Sequence, residues 1–133
     1  MRHPPASVAV GLAACAAFGL LTAAAVQAQD AGDPAKGKTV FARCAVCHSL
    51  EAGQNKVGPS LHGIIGRHSG SIDSFTYSNA MKNSNLTWDE ATLDKYLTNP
   101  KALVPGNKMA FPGLPKPEDR ANVIAYLKQA SGS

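Results

Sequence analysis

The sequence predicts an all-α domain: three main helices plus a short one, joined by long loops. Three observations lead there. Apolar residues recur at helical spacing in three separate segments, each opened by a capping or proline signal. No alternating apolar–polar run of useful length occurs, and no internal repeat. Between the periodic segments lie stretches rich in Gly, Ser, Pro and His that read as turns.

The elements follow in chain order. Residues 1–28 read as a secretory signal peptide. Met1-Arg2-His3 is followed by an almost uninterrupted apolar run to Val26, and Val26-Gln27-Ala28 is a small-x-small cleavage site. Cleavage there leaves residues 29–133 as one domain. Two competing readings concern the same segment. The run is long enough for an uncleaved anchor, although its alanines make a weak span. Leu12-Ala13-Ala14-Cys15 resembles a lipoprotein signal, but the chain after Cys15 stays apolar as far as Val26, where such signals turn polar.

Asp33-Pro34 opens the first helix, Asp33 as N-cap and Pro34 at the first helical position. Gly37, Val40, Phe41 and Cys44 then share its inner face. A mid-helix glycine costs up to about 1 kcal/mol relative to alanine, so Gly37 anticipates a close approach by another helix. Glu51 to Ser74 reads as loop with tight turns, and a short helix is expected near Ser78–Lys82. Thr87-Trp88-Asp89-Glu90 matches a capping box of Thr87 with Glu90. The helix it starts carries Leu93, Tyr96 and Leu97 on one face, and Asn99-Pro100 ends it. A second loop runs from Lys101 to Lys116. The last helix starts at Pro117-Glu118-Asp119, with acids in its first turn and Lys128 near its end. Its apolar face is Val123, Ile124, Tyr126 and Leu127. Loops this long are unusual in a small domain unless they wrap around something.

Cys44-Ala45-Val46-Cys47-His48 supplies that something. Cys-x-x-Cys-His is the attachment signal for c-type haem. The thiols of Cys44 and Cys47 add to the vinyl groups as thioethers, and His48 ligates the iron from one side. The third cysteine of the chain is Cys15, in the signal, so no pair remains for a structural disulfide. A domain this small buries a modest share of its surface, and a large apolar cofactor supplies much of the missing core. Loss of Arg2 leaves 12 basic against 9 acidic residues, a formal charge of +3. Two haem propionates bring this to about +1. That surplus is too weak to argue for nucleic acid, though it permits a basic patch on one face.

One axial position remains. Met109, Met81, His62 and His68 are the candidates. Met109 sits in a loop stiffened by Pro105, Gly106, Pro112 and Gly113, which can hold a thioether at a fixed distance. The plainer alternative is a gap-filling methionine. Met81 falls in a helical turn and is more in keeping with core; His62 and His68 lie in a loop.

The chain resembles class I cytochromes c of the mitochondrial and bacterial cytochrome c2 type. The matching segments are Cys44–His48, Val57-Gly58-Pro59-Ser60-Leu61-His62-Gly63, Gly66-Arg67, Tyr96-Leu97-Thr98-Asn99-Pro100-Lys101, Pro105-Gly106-Asn107-Lys108-Met109 and Ala125-Tyr126-Leu127-Lys128. They span the region from about Asp33 to Lys128. The resemblance implies the small class I cytochrome c fold, three main helices plus a short one with long loops wrapped around one covalent haem c. It also implies that Pro59 buttresses His48 through its carbonyl, and that Met109 is the sixth ligand. Arg67, Tyr77 and Trp88 would lie around a buried propionate, Tyr96 would approach the Met109 sulfur, and Gly37 and Phe41 would pack near Val123 and Tyr126. Two departures stand out: Met81 replaces an asparagine of mitochondrial relatives, and Asn107 a threonine, which puts that threonine's propionate contact in doubt.

A His48/Met109 haem has no open coordination position, and such ligation raises the reduction potential. The expected function is therefore a soluble periplasmic one-electron shuttle, monomeric and not itself an enzyme. Lys56, Lys101, Lys108 and Lys116 stand where relatives place docking lysines, and Lys38 and Arg43 lie nearby; the plainer reading is that they are solvated. Three other functions compete: a dedicated subunit of one periplasmic dehydrogenase, a peroxidase or gas-binding haem protein with open iron, and a zinc or dithiol site on Cys44 and Cys47. The Met109 loop argues against the second; the missing fourth ligand motif and βαβ context argue against the third.

Overall fold

The structure, a computed structural model, describes residues 31–132. The signal-peptide reading of residues 1–28 and the lipidation reading of Cys15 lie outside them. The described chain is all-α, with helices α1 (Pro34–Ala45), α2 (Asn79–Lys82), α3 (Glu90–Thr98), α4 (Pro100–Leu103) and α5 (Pro117–Ala130). The extended pairing among these residues is one isolated antiparallel bridge, His68 with Thr87. No helix among them is long and apolar enough to cross a membrane.

Local chemistry sets most of the boundaries. The Asp33 carboxylate accepts from the backbone N–H groups of Ala35 and Lys36, with Pro34 at the first helical position. Ser78 caps α2 by accepting from Met81 N. The start of α5 has Pro117 but no side-chain cap, and relies on Glu118 and Asp119 in its first turn.

Two expectations are corrected. The N-cap of α3 is Asp89, whose carboxylate accepts from Thr92 N at 2.7 Å, and not Thr87. The Thr87 hydroxyl is instead 3.2 Å from His68 Nδ1, across the isolated bridge. Asn99-Pro100 ends α3 but also begins α4: the Asn99 side chain accepts from Ala102 N, and Pro100 takes the first helical position. The loop expected from Lys101 therefore begins with most of a helical turn.

The core forms where α1 and α3 meet α5. A Cβ on Gly37 would collide with the Asn122 carbonyl and lie 2.8 Å from the Tyr126 Cβ, so the glycine is what lets the two helices touch. Phe41 and Tyr126 pack beside it with the rings tilted and centroids 5.3 Å apart. Val123, Ile124 and Leu127 face inward from α5, and Leu93 and Tyr96 from α3. Asn122, buried, accepts from the Asp33 backbone N–H at 2.7 Å. Arg120 is buried too. It pairs with Asp94 of α3 at 2.7 Å and donates to the Leu114 and Pro115 carbonyls, which ties the loop before α5 to the helix pair. The exposed Lys128–Glu90 pair at 2.6 Å contributes no more than about 1 kcal/mol.

Candidate functional site

The helices and loops leave a cavity of about 370 Å³ at the centre of the domain. Cys44, Cys47 and His48 border it on one side. Both thiols are free and half-buried at the end of α1. Burial pushes the Cys44 thiol above the usual range, and the charge of Arg43 offsets part of that.

His48 is held from two directions. Its Nδ1 lies 2.7 Å from the Pro59 carbonyl. A carbonyl only accepts, so Nδ1 carries the proton and Nε2 is left unprotonated, the form that binds a metal. Burial lowers the His48 pKa, opposed by the Pro59 hydrogen bond and aided by Arg67 and Lys56, so the ring is neutral. Gly58 packs against the ring face; any side chain there would run into it.

Met109 borders the same cavity. The Tyr96 hydroxyl lies 3.9 Å from its sulfur, and burial pushes the Tyr96 pKa up to about 12, so the phenol keeps its proton. Trp88 packs against Tyr96 with the rings tilted at 53° and centroids 4.9 Å apart. Of the other axial candidates, Met81 is on the cavity wall, its sulfur 3.9 Å from the Ser84 hydroxyl. His62 and His68 are exposed and off that wall, with Nδ1 of His62 directed at the Leu50 carbonyl at 3.2 Å.

Arg67, Tyr77 and Trp88 all border the cavity, together with Pro59 and Tyr96. Arg67 donates through Nη1 to the His62 carbonyl, but its Nε is buried with no protein partner. A buried guanidinium N–H without an acceptor is costly, and a carboxylate brought in by a ligand resolves it. Burial lowers the Arg67 pKa, with Tyr77 beside it working the other way. The residues present thus fit a c-type haem: two free thiols, a neutral imidazole, a half-buried thioether, apolar walls and a guanidinium N–H suited to a propionate.

One residue of the site escaped sequence reasoning in its role. Asn107 Nδ2 donates to the carbonyls of Pro100 and Val104, and its Oδ1 accepts from Met109 N. Both amide hydrogens are used within the loop, so none is left for a propionate. The proline-glycine turn beside it was the only hint in the sequence.

The lysines expected to frame a docking face are placed less uniformly than their grouping suggests. Lys108 and Arg43 border the cavity, whereas Lys101 and Lys116 are exposed away from its wall. Lys56 reaches the Ala45 carbonyl at 2.6 Å, at the C-terminal end of α1 where a cation is favoured. Lys38 is exposed on α1. Among the described residues no group of three or more His, Cys, Asp or Glu is placed to hold a metal ion, so a zinc site on Cys44 and Cys47 lacks further donors.

The chain is similar to known proteins along the same region. The family model for cytochrome c matches residues 34–131. Cytochrome c2 of Rhodomicrobium vannielii is 56% identical over 106 residues, covering 79% of this chain and 85% of that protein. Cytochrome c2 of Rhodoblastus acidophilus is 55% identical over 106 residues, covering 77% and 99%. The solved structure of cytochrome cH from Methylobacterium extorquens superposes with a TM-score of 0.71 at 46% identity, covering 74% of this chain and 99% of that one. With the attachment motif, His48, Met109 and Arg67 all facing one cavity, and with these matches along the same region, the chain belongs to the cytochrome c family, haem-containing electron carriers with one covalently attached haem c.

Proposed function

We propose that this protein is a soluble periplasmic one-electron shuttle whose haem iron is ligated by His48 and Met109, and that it is not itself an enzyme. The observation that carries the reading is the pairing of His48 and Met109 on the walls of one cavity that also holds the free thiols of Cys44 and Cys47. Haem c, when bound, supplies an iron centre that changes by one electron. Cys44 and Cys47 hold it covalently. His48, fixed by Pro59 and Gly58, and Met109, fixed by its loop, would hold the iron from the cavity walls, and with both protein ligands in place none would be left for a substrate. Tyr96 keeps its proton and offers it to the Met109 sulfur, which favours the reduced state by drawing density from the thioether. Arg67 neutralises a buried carboxylate.

Residues 1–28 act as a cleaved export signal in this reading, and the mature domain starts near Gln29. Its partners are redox proteins with acidic docking faces, met at a surface framed by Lys56, Lys101, Lys108 and Lys116. Rim charges act mainly on encounter rate. The Debye length is near 8 Å at about 0.15 M salt, so electron transfer to an acidic partner slows as salt rises. Stopped-flow measurement tests this on the holoprotein: Lys108→Glu and Lys101→Glu slow the reaction further, while Lys128→Glu has a smaller effect. Rates that are flat with salt and indifferent to Lys101 and Lys108 would reduce those lysines to solubilising charges. A high-spin, five-coordinate spectrum of the resting protein would replace the shuttle by an open-iron haem protein.

A further inference from the structure

We propose that Asn107 is a positioning residue that latches the Met109 loop shut, and that its side chain sets how often the sixth coordination position opens. The proposal rests on Met109 being the axial ligand. Val104-Pro105-Gly106-Asn107 is a tight turn, closed by Asn107 N donating to the Val104 carbonyl at 3.1 Å, with Gly106 at φ +88. That is the backbone of a type II turn, proline then glycine at its centre. A turn alone leaves the next residues free to swing.

The Asn107 side chain removes that freedom on both sides. Nδ2 donates backward to Pro100 at 3.0 Å and to Val104 at 2.9 Å, gripping the first and following residues of α4. Oδ1 accepts forward from the Met109 backbone N–H at 2.9 Å. One planar amide therefore couples the ligand's own backbone to a helix. That helix is anchored in turn: Pro100 and Val104 are buried, and Asn99 caps it. Serine, threonine or aspartate at this position cannot supply two donors and an acceptor in the same plane. The latch holds the backbone, while Tyr96 meets the sulfur, so the two act on different parts of Met109.

Exogenous imidazole binding to the oxidised holoprotein tests the latch. At saturating imidazole the rate is limited by opening of the Met109 loop. Asn107→Ala is expected to raise that limiting rate on the order of tenfold or more, from the loss of hydrogen bonds each modest in net strength. Asn107→Asp keeps the acceptor for Met109 N–H and loses both donors, so its rate should fall between wild type and alanine; it also keeps the test open should the alanine variant not fold. Asp33→Ala, which weakens the far end of α1, should lower global stability and leave the limiting rate unchanged. Limiting rates in both Asn107 variants equal to wild type would overturn the latch, as would an equal acceleration in Asp33→Ala. A wild-type protein without a methionine–iron charge-transfer band would overturn the ligand assignment itself, whereas a normal band with unaltered opening rates overturns only the role of Asn107.

Discussion

At the scale of single residues, the site separates groups that line the cavity from groups that hold those in place. Met109 and Met81 both reach the cavity, but their surroundings differ. The Met109 sulfur faces the proton of a buried phenol, and the Met81 sulfur faces the hydroxyl of Ser84, which is off the cavity wall. Met109→Ala is therefore expected to abolish the methionine–iron charge-transfer band, lower the reduction potential and raise peroxidase-like side activity. Met81→Leu should keep the band. Visible spectroscopy of the two variants decides between the methionines: a band retained in the first and lost in the second assigns the ligand to Met81. The attachment motif was legible in the sequence because covalent chemistry demands fixed residue types at fixed spacing. Asn107 was not, because its identity says nothing about whether the amide turns outward to a propionate or back onto its own loop. That choice depends on where Pro100 lies, several residues upstream.

At the scale of elements, caps written in consecutive residues were readable, and caps decided by a distant contact were not. Asp33-Pro34 and Ser78 act where they stand. Thr87 carries a capping-box pattern, but the chain brings His68 beside it, and Asp89, two residues on, takes the role. Asn99-Pro100 is a stop signal, but an asparagine cap and a proline are start signals too, and both meanings hold here. The Asp89 carboxyl lies below its ordinary 3.8 chiefly because the Thr92 backbone N–H donates to it. A folded-state pKa below the unfolded one adds stability above the unfolded value, and that stability is lost as pH falls through the lowered one. Asp89→Asn keeps a capping oxygen without the charge, so thermal unfolding of the two proteins should differ at neutral pH and converge as pH falls through the lowered carboxyl value. Gly37 gives the clearest conflict between local and tertiary preference. Helix propensity alone says that Gly37→Ala gains about 1 kcal/mol. The added methyl meets the Asn122 carbonyl, and overpacking of this kind costs roughly 1–3 kcal/mol. Net destabilisation in urea unfolding is expected; a gain would mean that α1 and α5 can move apart at little cost.

At the scale of the whole molecule, the domain closes by joining its two ends. The Asp33 N–H is held by Asn122, and the Ser131 carbonyl receives Gly63 N, so the first and last helices brace each other and the loop behind His48. The apolar residues left outside by this arrangement include Val46 and Val57, 73% and 81% exposed; Val46 lies between the two cysteines and Val57 borders the cavity.

The pairing of α1 with α5 also orders events in time. The helix that bears Cys44 is among the first parts of the domain to be synthesised, and its packing partner, Pro117–Ala130, is the last. Until that segment emerges, α1 lacks its main packing partner and the thiols at its end are not yet enclosed by the finished core, and a contact this remote in sequence carries a large loop-closure cost. The interval between the two is a window in which the cysteines stay open to the attachment chemistry that a finished fold would bury. A chain ending at Lys116 is thus expected to acquire covalent haem yet show no cooperative unfolding. Haem staining of the denatured truncated chain, with circular dichroism of the same sample, checks both halves. Absence of covalent haem from the shortened chain would mean that attachment waits for the last helix to arrive.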